Sequence, residues 1–188
     1  MVARESSEPP PRLAPEFPLP PYSYVTGKFP HPTRDPAGHS FGHTPPEPAP
    51  LDPENWQASR EYLFGCDLFN HGYYWEAHEV WEGLWKACGR RGTTADFLKG
   101  LIKLAAAGVK HREGRSEGVR RHAARAAELL EVVTRRLDGR SYAGLDVQWL
   151  LSVARRLEGH LTLQGEVDAR VAVVFDFVLV PHVISEAT

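Results

Sequence analysis

The chain has 188 residues, of which 42% are hydrophobic and 24% charged, with a formal net charge of -2. That suits one compact domain with an appendage better than two full domains. The balance excludes the charge excess that would draw a whole chain to nucleic acid or a membrane surface. Cys66 and Cys88 lack metal-type spacing, which fits buried free thiols in a reducing compartment. The start, "MVARESSEPPPRLAP", has no apolar h-region, and no uncharged apolar run is long enough to span a bilayer. The expectation is a soluble cytoplasmic protein.

Fourteen of the sixteen prolines lie in residues 1–50. Proline removes a backbone donor and pushes its predecessor toward extended conformations, so this stretch cannot form long regular elements. Its first dozen residues are expected to be disordered. From residue 20 to 45 the character changes: Tyr22, Tyr24, Val25, Phe29 and Phe41 are spaced along it. This part is expected to be an extended arm packed on the domain that follows.

The helical domain is expected over residues 51–160. In "LDPENW", Asp52 is a candidate cap and Pro53 suits a first helical position, so a first helix is expected to run to about Phe69. Asn70-His71-Gly72 stops it, glycine supplying a left-handed residue. A second helix follows from Tyr73 to Ala87. After the "GRRGTT" loop, Thr93 with Asp96 resembles a capping box and opens a third helix. A fourth, "GVRRHAARAAELLEVVTRRL", places Val119, Ala123, Ala126, Leu130, Val133 and Leu137 at helical spacing. A fifth carries Trp149, Leu150, Val153 and Leu157. The tryptophans at 56, 75, 81, 85 and 149 are expected in the core. The β-branched and aromatic run "RVAVVFDFVLVPHVI", within residues 161–188, favours an extended segment, read as a lone strand.

At "FNHGYYWEAHEVWEGLW" the residues become specific. Phenylalanine-asparagine, a glycine turn, then Trp75, Glu76, Ala77, His78, Glu79, Trp81, Glu82 and Trp85 resemble domain of unknown function family 309. "DFLKGLIKLAAAGVKHREG", with His111, resembles that family's next helix. The resemblance covers roughly residues 55–135. The arm stretch "YSYVTGKFPHPTRDPAGHSFG" is similar to an N-terminal extension of one branch of that family. The resemblance implies a small all-α bundle and no activity. The expected fold is therefore all-α: a compact bundle of about five helices, with a proline-rich N-terminal arm and a short extended C-terminal segment.

On a helical wheel for residues 74–88, Tyr74, Ala77, Trp81, Leu84, Trp85 and Cys88 share the core face. His78 and Glu82, at i and i+4, lie at its edge with Glu79 flanking them. Glu76 points mostly away, which predicts a solvated carboxylate. On the third helix His111 borders the apolar face, and an antiparallel neighbour would carry it toward Trp75 and His78.

Three readings fit this cluster. His78, Glu82 and His111 could hold Zn, Mn or Fe, whose bound water would serve hydrolysis. Glu79 or Glu82, with a pKa raised among tryptophans, could work with His78 as an acid–base pair. Alternatively, the groups form a hydrogen-bond network that fixes helix packing. The first two make Trp75, His78, Glu79, Glu82 and His111 the lining of a pocket between the second and third helices, and Glu79, Glu82 and His78 its catalytic candidates. His31, Arg34, Asp35, His39 and His43 could complete such a site if the arm folds over the second helix. Arg34 would then suit an anionic ligand. Arg120, Arg121 and Arg125 are diluted by glutamates and read as a solvated helix face, not a nucleic-acid surface. The function expected is a small-ligand or metal-binding pocket with room for hydrolysis. The alternative is a non-catalytic helical interaction protein, with no nucleic-acid or membrane partner in either case and homo-oligomerisation left open.

Overall fold

Helix α1 (Arg60–Asn70) begins where Ser59, in extended conformation, accepts a hydrogen bond from the Tyr62 N–H. That capped start lies well after Pro53, so the expected longer first helix does not form. Asp52 instead caps a local turn through the Glu54 N–H, and a separate 3-10 turn spans Trp56–Ala58. The computed structural model describes residues 10–137, 141–159 and 169–182. Among these, α1 is followed by α2 (Tyr74–Ala87), α3 (Thr93–Arg112), α4 (Ser116–Arg136) and α5 (Val147–Gly159). A two-residue antiparallel pair, β1 (Ser141–Tyr142) with β2 (Leu145–Asp146), bridges α4 and α5. The fold is all-α, and each helix packs chiefly on its neighbours in sequence.

Local chemistry accounts for the helix ends. Gly72, at φ 87°, is the left-handed residue after α1, with Gly72 N–H bonded to Phe69 O and Tyr73 N–H to Leu68 O. A Cβ there would also lie 2.6 Å from the Ala172 carbonyl oxygen, so glycine is required twice over. At α3 the expected capping box is absent. Thr93 is already the first helical residue, after Gly92, and Asp96 turns outward to pair with Arg136 at 2.7 Å. Asp146 caps α5 by accepting from the Trp149 N–H.

The core is built around Trp81, Phe69, Tyr62, Tyr74, Phe97 and Leu101, all fully buried. Each side chain of this size contributes about 2–3 kcal/mol of burial. The helices approach closely where side chains are missing: a Cβ at Gly65 would overlap the Trp81 indole, and one at Gly108 would lie 2.5 Å from the Tyr74 ring. The latter contact sets the end of α3 against the start of α2. Of the five tryptophans only Trp81 is fully buried. The other four are half-buried, because each roofs an edge of the core instead of filling it. Trp149, for instance, meets Phe177 edge to face at 5.7 Å.

Both flanking segments pack on the bundle. Residues 169–182 run extended and form no strand of two or more residues. Their lone-strand problem is solved by a side chain: Asn70 accepts from the Leu179 N–H at 2.7 Å and donates to the Leu179 carbonyl at 2.8 Å. Phe175 stacks on Phe69, and Phe177 meets the same ring at a tilt. The expected segment's residues 161–168 and 183–188 lie outside the described residues, as do the first nine residues of the arm. From Arg12 onward the arm is held by Asp67, a fully buried carboxylate on α1. It accepts from Arg12 Nε at 2.9 Å and from the Leu13 and Ala14 N–H groups at 2.8 Å each. No helix among the described residues is long and apolar enough to cross a membrane.

A candidate site under the N-terminal arm

Glu76 projects from the first turn of α2 and is 6% exposed. The solvated position expected from the wheel is overturned, because the arm covers that face. Glu76 accepts from the Tyr24 N–H at 2.8 Å, from Ser23 Oγ at 3.1 Å and from His39 Nε2 at 3.3 Å. Behind it lies Arg112 of α3, also buried, donating to the carbonyls of Ser23 and Ala169. Burial pulls the Arg112 pKa down, and the charge of Glu76 opposes that pull. The Arg112 Nε has no hydrogen-bond partner among the described residues. A buried carboxylate and a buried guanidinium thus lie within electrostatic reach of each other, and through their separate partners they tie the arm to α2, α3 and the C-terminal segment.

Held this way, the arm roofs a cavity of about 480 Å³ over α1 and α2. Phe64 and Leu68 of α1 and Trp75 and Val80 of α2 give it an apolar floor. Thr33, His39, Ser40, His43 and Thr44 supply the polar groups of the arm side, with Glu76 and Glu79 opposite. Trp75 is set by edge contacts with Tyr24 at 5.4 Å and His31 at 5.4 Å. The volume is within the range of small-molecule sites, and the mix of apolar walls with few polar groups is their usual chemistry.

Beside the cavity, on the open edge of α2, His78, Glu79 and Glu82 each present one ligand atom, all within 4.8 Å of one another. His78 Nδ1 lies 3.1 Å from Glu79 Oε1, to which it hydrogen-bonds. That hydrogen bond is the main cause of a lowered Glu79 pKa, with burial acting against it. The raised carboxyl pKa expected for an acid–base pair is therefore not found at Glu79. Glu82 pairs with Lys86 at 3.4 Å. A nitrogen and two carboxylates suit a borderline divalent ion such as Zn, Mn or Fe. All three come from one helix and leave the remaining coordination positions to solvent.

The residues singled out from sequence are thus divided. Trp75 and Glu79 reach the cavity; His78, Glu79 and Glu82 form the cluster; Glu79 belongs to both. The cavity is bounded by the arm and not by α3. His111 is buried near the end of α3, where burial lowers its pKa, and it is not part of the three-residue group. Arg34 is exposed on the arm and does not line the cavity. Sequence reasoning missed Glu76, Asp67 and Arg112. For Asp67 a signal existed: it interrupts an otherwise apolar run, "LFGCDLFN", as a charge on a buried helix face does when a partner is waiting.

Fold and site together define a small helical protein with an arm-covered cavity flanked by a histidine–carboxylate cluster. Residues 62–122, from the first turns of α1 into α4, match the family described as a domain of unknown function (DUF309), which the chain resembles. No curated protein and no solved structure matches the chain.

Proposed function

We propose that the protein binds a small molecule beneath the arm, with a divalent cation held at the rim by His78, Glu79 and Glu82. The observation that carries this reading is the double position of Glu79, which lines the cavity and belongs to the cluster. An ion there would sit beside a bound ligand. It would lower the pKa of its own water and so supply a nucleophile for hydrolysis at neutral pH. The two free thiols, Cys66 buried and Cys88 partly so, support a cytoplasmic setting.

Two variants separate the two halves of the proposal. His78→Ala removes a cluster ligand that does not line the cavity. Val80→Trp fills the cavity from a position outside the cluster. Untagged protein, purified without chelator and supplemented with Zn, Mn and Fe, is weighed by native mass spectrometry and assayed for metal. Metal lost in His78→Ala, and a retained small molecule lost in Val80→Trp, are the expected results. Neither metal nor small molecule in the parent protein would sink the reading.

That outcome would leave a second one, a non-catalytic helical interaction protein whose polar groups only fix packing. The saturation of Glu76 by three arm donors favours it.

A further inference from the structure

No residue lining the arm cavity belongs to α3 or α4. Where α3 meets α4 a different kind of surface gathers, within electrostatic reach of Glu82 and His78 of α2. Lys99, Lys103 and Lys110 lie along one stripe of α3, and the stem of Lys110 crosses Gly118 of α4, where an added Cβ would lie 2.9 Å from Lys110 Cγ. Across that crossing stand Arg121, His122 and Arg125 of α4. The charges feel one another. Lys103 is lowered first by burial and then by Lys99, Arg125 and Arg121, with Glu82 opposing. His122, half-buried among them, is pressed down to about 4 by burial and by Lys103, Arg121, Lys110 and, from α2, His78.

Most cations on this face have a local partner. Lys110 pairs with Glu113 at 2.6 Å, Arg125 with Glu128, and Lys99 stands over the Trp85 ring at 3.9 Å. The side chains of Lys103 and Arg121 make no hydrogen bond or ion pair with any described residue. Glu82, the carboxylate among the main influences on Lys103, is engaged by Lys86. In a chain of net charge -2, the side chains of Lys103 and Arg121 therefore stand among like charges with no ion-pair partner among the described residues. Such crowding costs energy in the free protein and is relieved by an anion.

The geometry points to a binding site for a small polyphosphate on the α3–α4 face, built by Lys103 and Arg121 with Lys110 completing it. An ammonium gives phosphate a point charge, and a guanidinium gives it a two-pronged hydrogen-bond donor. The extent of the patch fits a small ligand. Lys103 and Lys110 are about 10 Å apart along the helix axis. Glu113 and Glu117 close one end and Glu128 the other, so no basic track continues for a nucleic-acid strand to follow. His122 is the built-in reporter, since a bound anion raises the pKa of a neutral histidine held among cations.

Inorganic triphosphate titrated into the full chain is the direct probe, followed by calorimetry and by the His122 ring resonances across pH. Binding with a rise of the His122 midpoint is expected. Lys103→Gln with Arg121→Gln should weaken binding at least tenfold, while Arg135→Gln, elsewhere on α4, leaves it unchanged. Thermal melts of the variants establish that both remain folded. Absence of binding, or binding that ignores the double variant, overturns the proposal. Equal binding of citrate would reduce the site to an unselective cationic surface. Tighter binding of a single-stranded oligonucleotide than of triphosphate would make it a nucleic-acid surface. Either of these last two results also overturns it.

Discussion

Glu76 of α2 and Ser23 of the arm lie 53 residues apart in sequence and share a buried hydrogen bond of 3.1 Å. The same carboxylate holds the next residue, Tyr24, through its backbone, so two consecutive arm residues hang from one side chain. Its removal strands more than one group: a backbone donor, a hydroxyl and the Arg112 guanidinium all lose their acceptor or counter-charge.

Glu76→Ala should therefore destabilise the fold by about 3 kcal/mol, and Glu76→Gln, which keeps an acceptor oxygen, by about half that. Urea unfolding measures both. The arm should also loosen before the bundle melts, so trypsin should cut Glu76→Ala at Lys28 and Arg34, both exposed, faster than the parent. Equal cleavage rates would mean that Asp67 alone holds the arm.

Gly65→Ala tests the tightest helix contact. The added methyl meets the indole of Trp81, a side chain with no exposed surface to retreat to. A loss of about 2 kcal/mol is expected. In a Trp81→Phe background the same substitution should cost less, because the smaller ring leaves room. A double-mutant cycle reads this coupling, and strict additivity would show that the helices part elsewhere.

Acidification should weaken the fold in a defined window. A histidine in an unfolded chain takes up a proton near pH 6.5. His122, facing Lys103 and Lys110 of α3, Arg121 of α4 and His78 of α2, resists protonation until about pH 4. Between these values the unfolded state binds more protons, so stability is full above about pH 6.5, falls as pH drops, and levels off below about pH 4. After discounting for partial exposure the loss is about 2 kcal/mol. His111, lowered by burial, adds in the same direction. Unfolding measured from pH 4 to 7 should show the slope, and His122→Gln should flatten most of it.

The cluster on α2 makes a prediction of opposite sign to most mutagenesis. Lys86 competes with any ion for Glu82. Lys86→Ala should tighten zinc binding several-fold by removing that competitor, whereas Glu82→Gln should weaken it at least tenfold. Zinc titration calorimetry distinguishes the two, and identical affinities would remove Glu82 from the ligand set.

The helices could be read from the chain because their causes are local. Periodicity placed α2 and α4 to within about two residues, and the glycine after Asn70-His71 marked the turn correctly. The start of α1 was misplaced although Ser59 carried the cap signal, since Asp52-Pro53 imitates a helix start and in fact makes a turn. Glu76 could not be read. Helical geometry alone puts it on the outer side, and what buries it arrives from residues 23, 24 and 39. The cavity was illegible for the same reason: half of its wall is irregular backbone, positioned by two carboxylates far along the chain. The C-terminal run was legible as extended, from its β-branched and aromatic residues. Its partner was not, because a side-chain amide takes the place of a neighbouring strand.

The two anchors of the arm, Asp67 and Glu76, have a consequence for the order of events on the ribosome. The arm is synthesised before the helices that receive it and can dock only after the α1–α2 hairpin has emerged behind it. Closing a loop of some 50 residues costs on the order of 3–4 kcal/mol of chain entropy, recovered only when a finished carboxylate is in place to receive the arm's donors. Until then the N–H groups of Leu13, Ala14 and Tyr24 stay hydrated. A segment made before the helices is thus folded only after its two receiving carboxylates exist, and the cavity comes into being with that docking step.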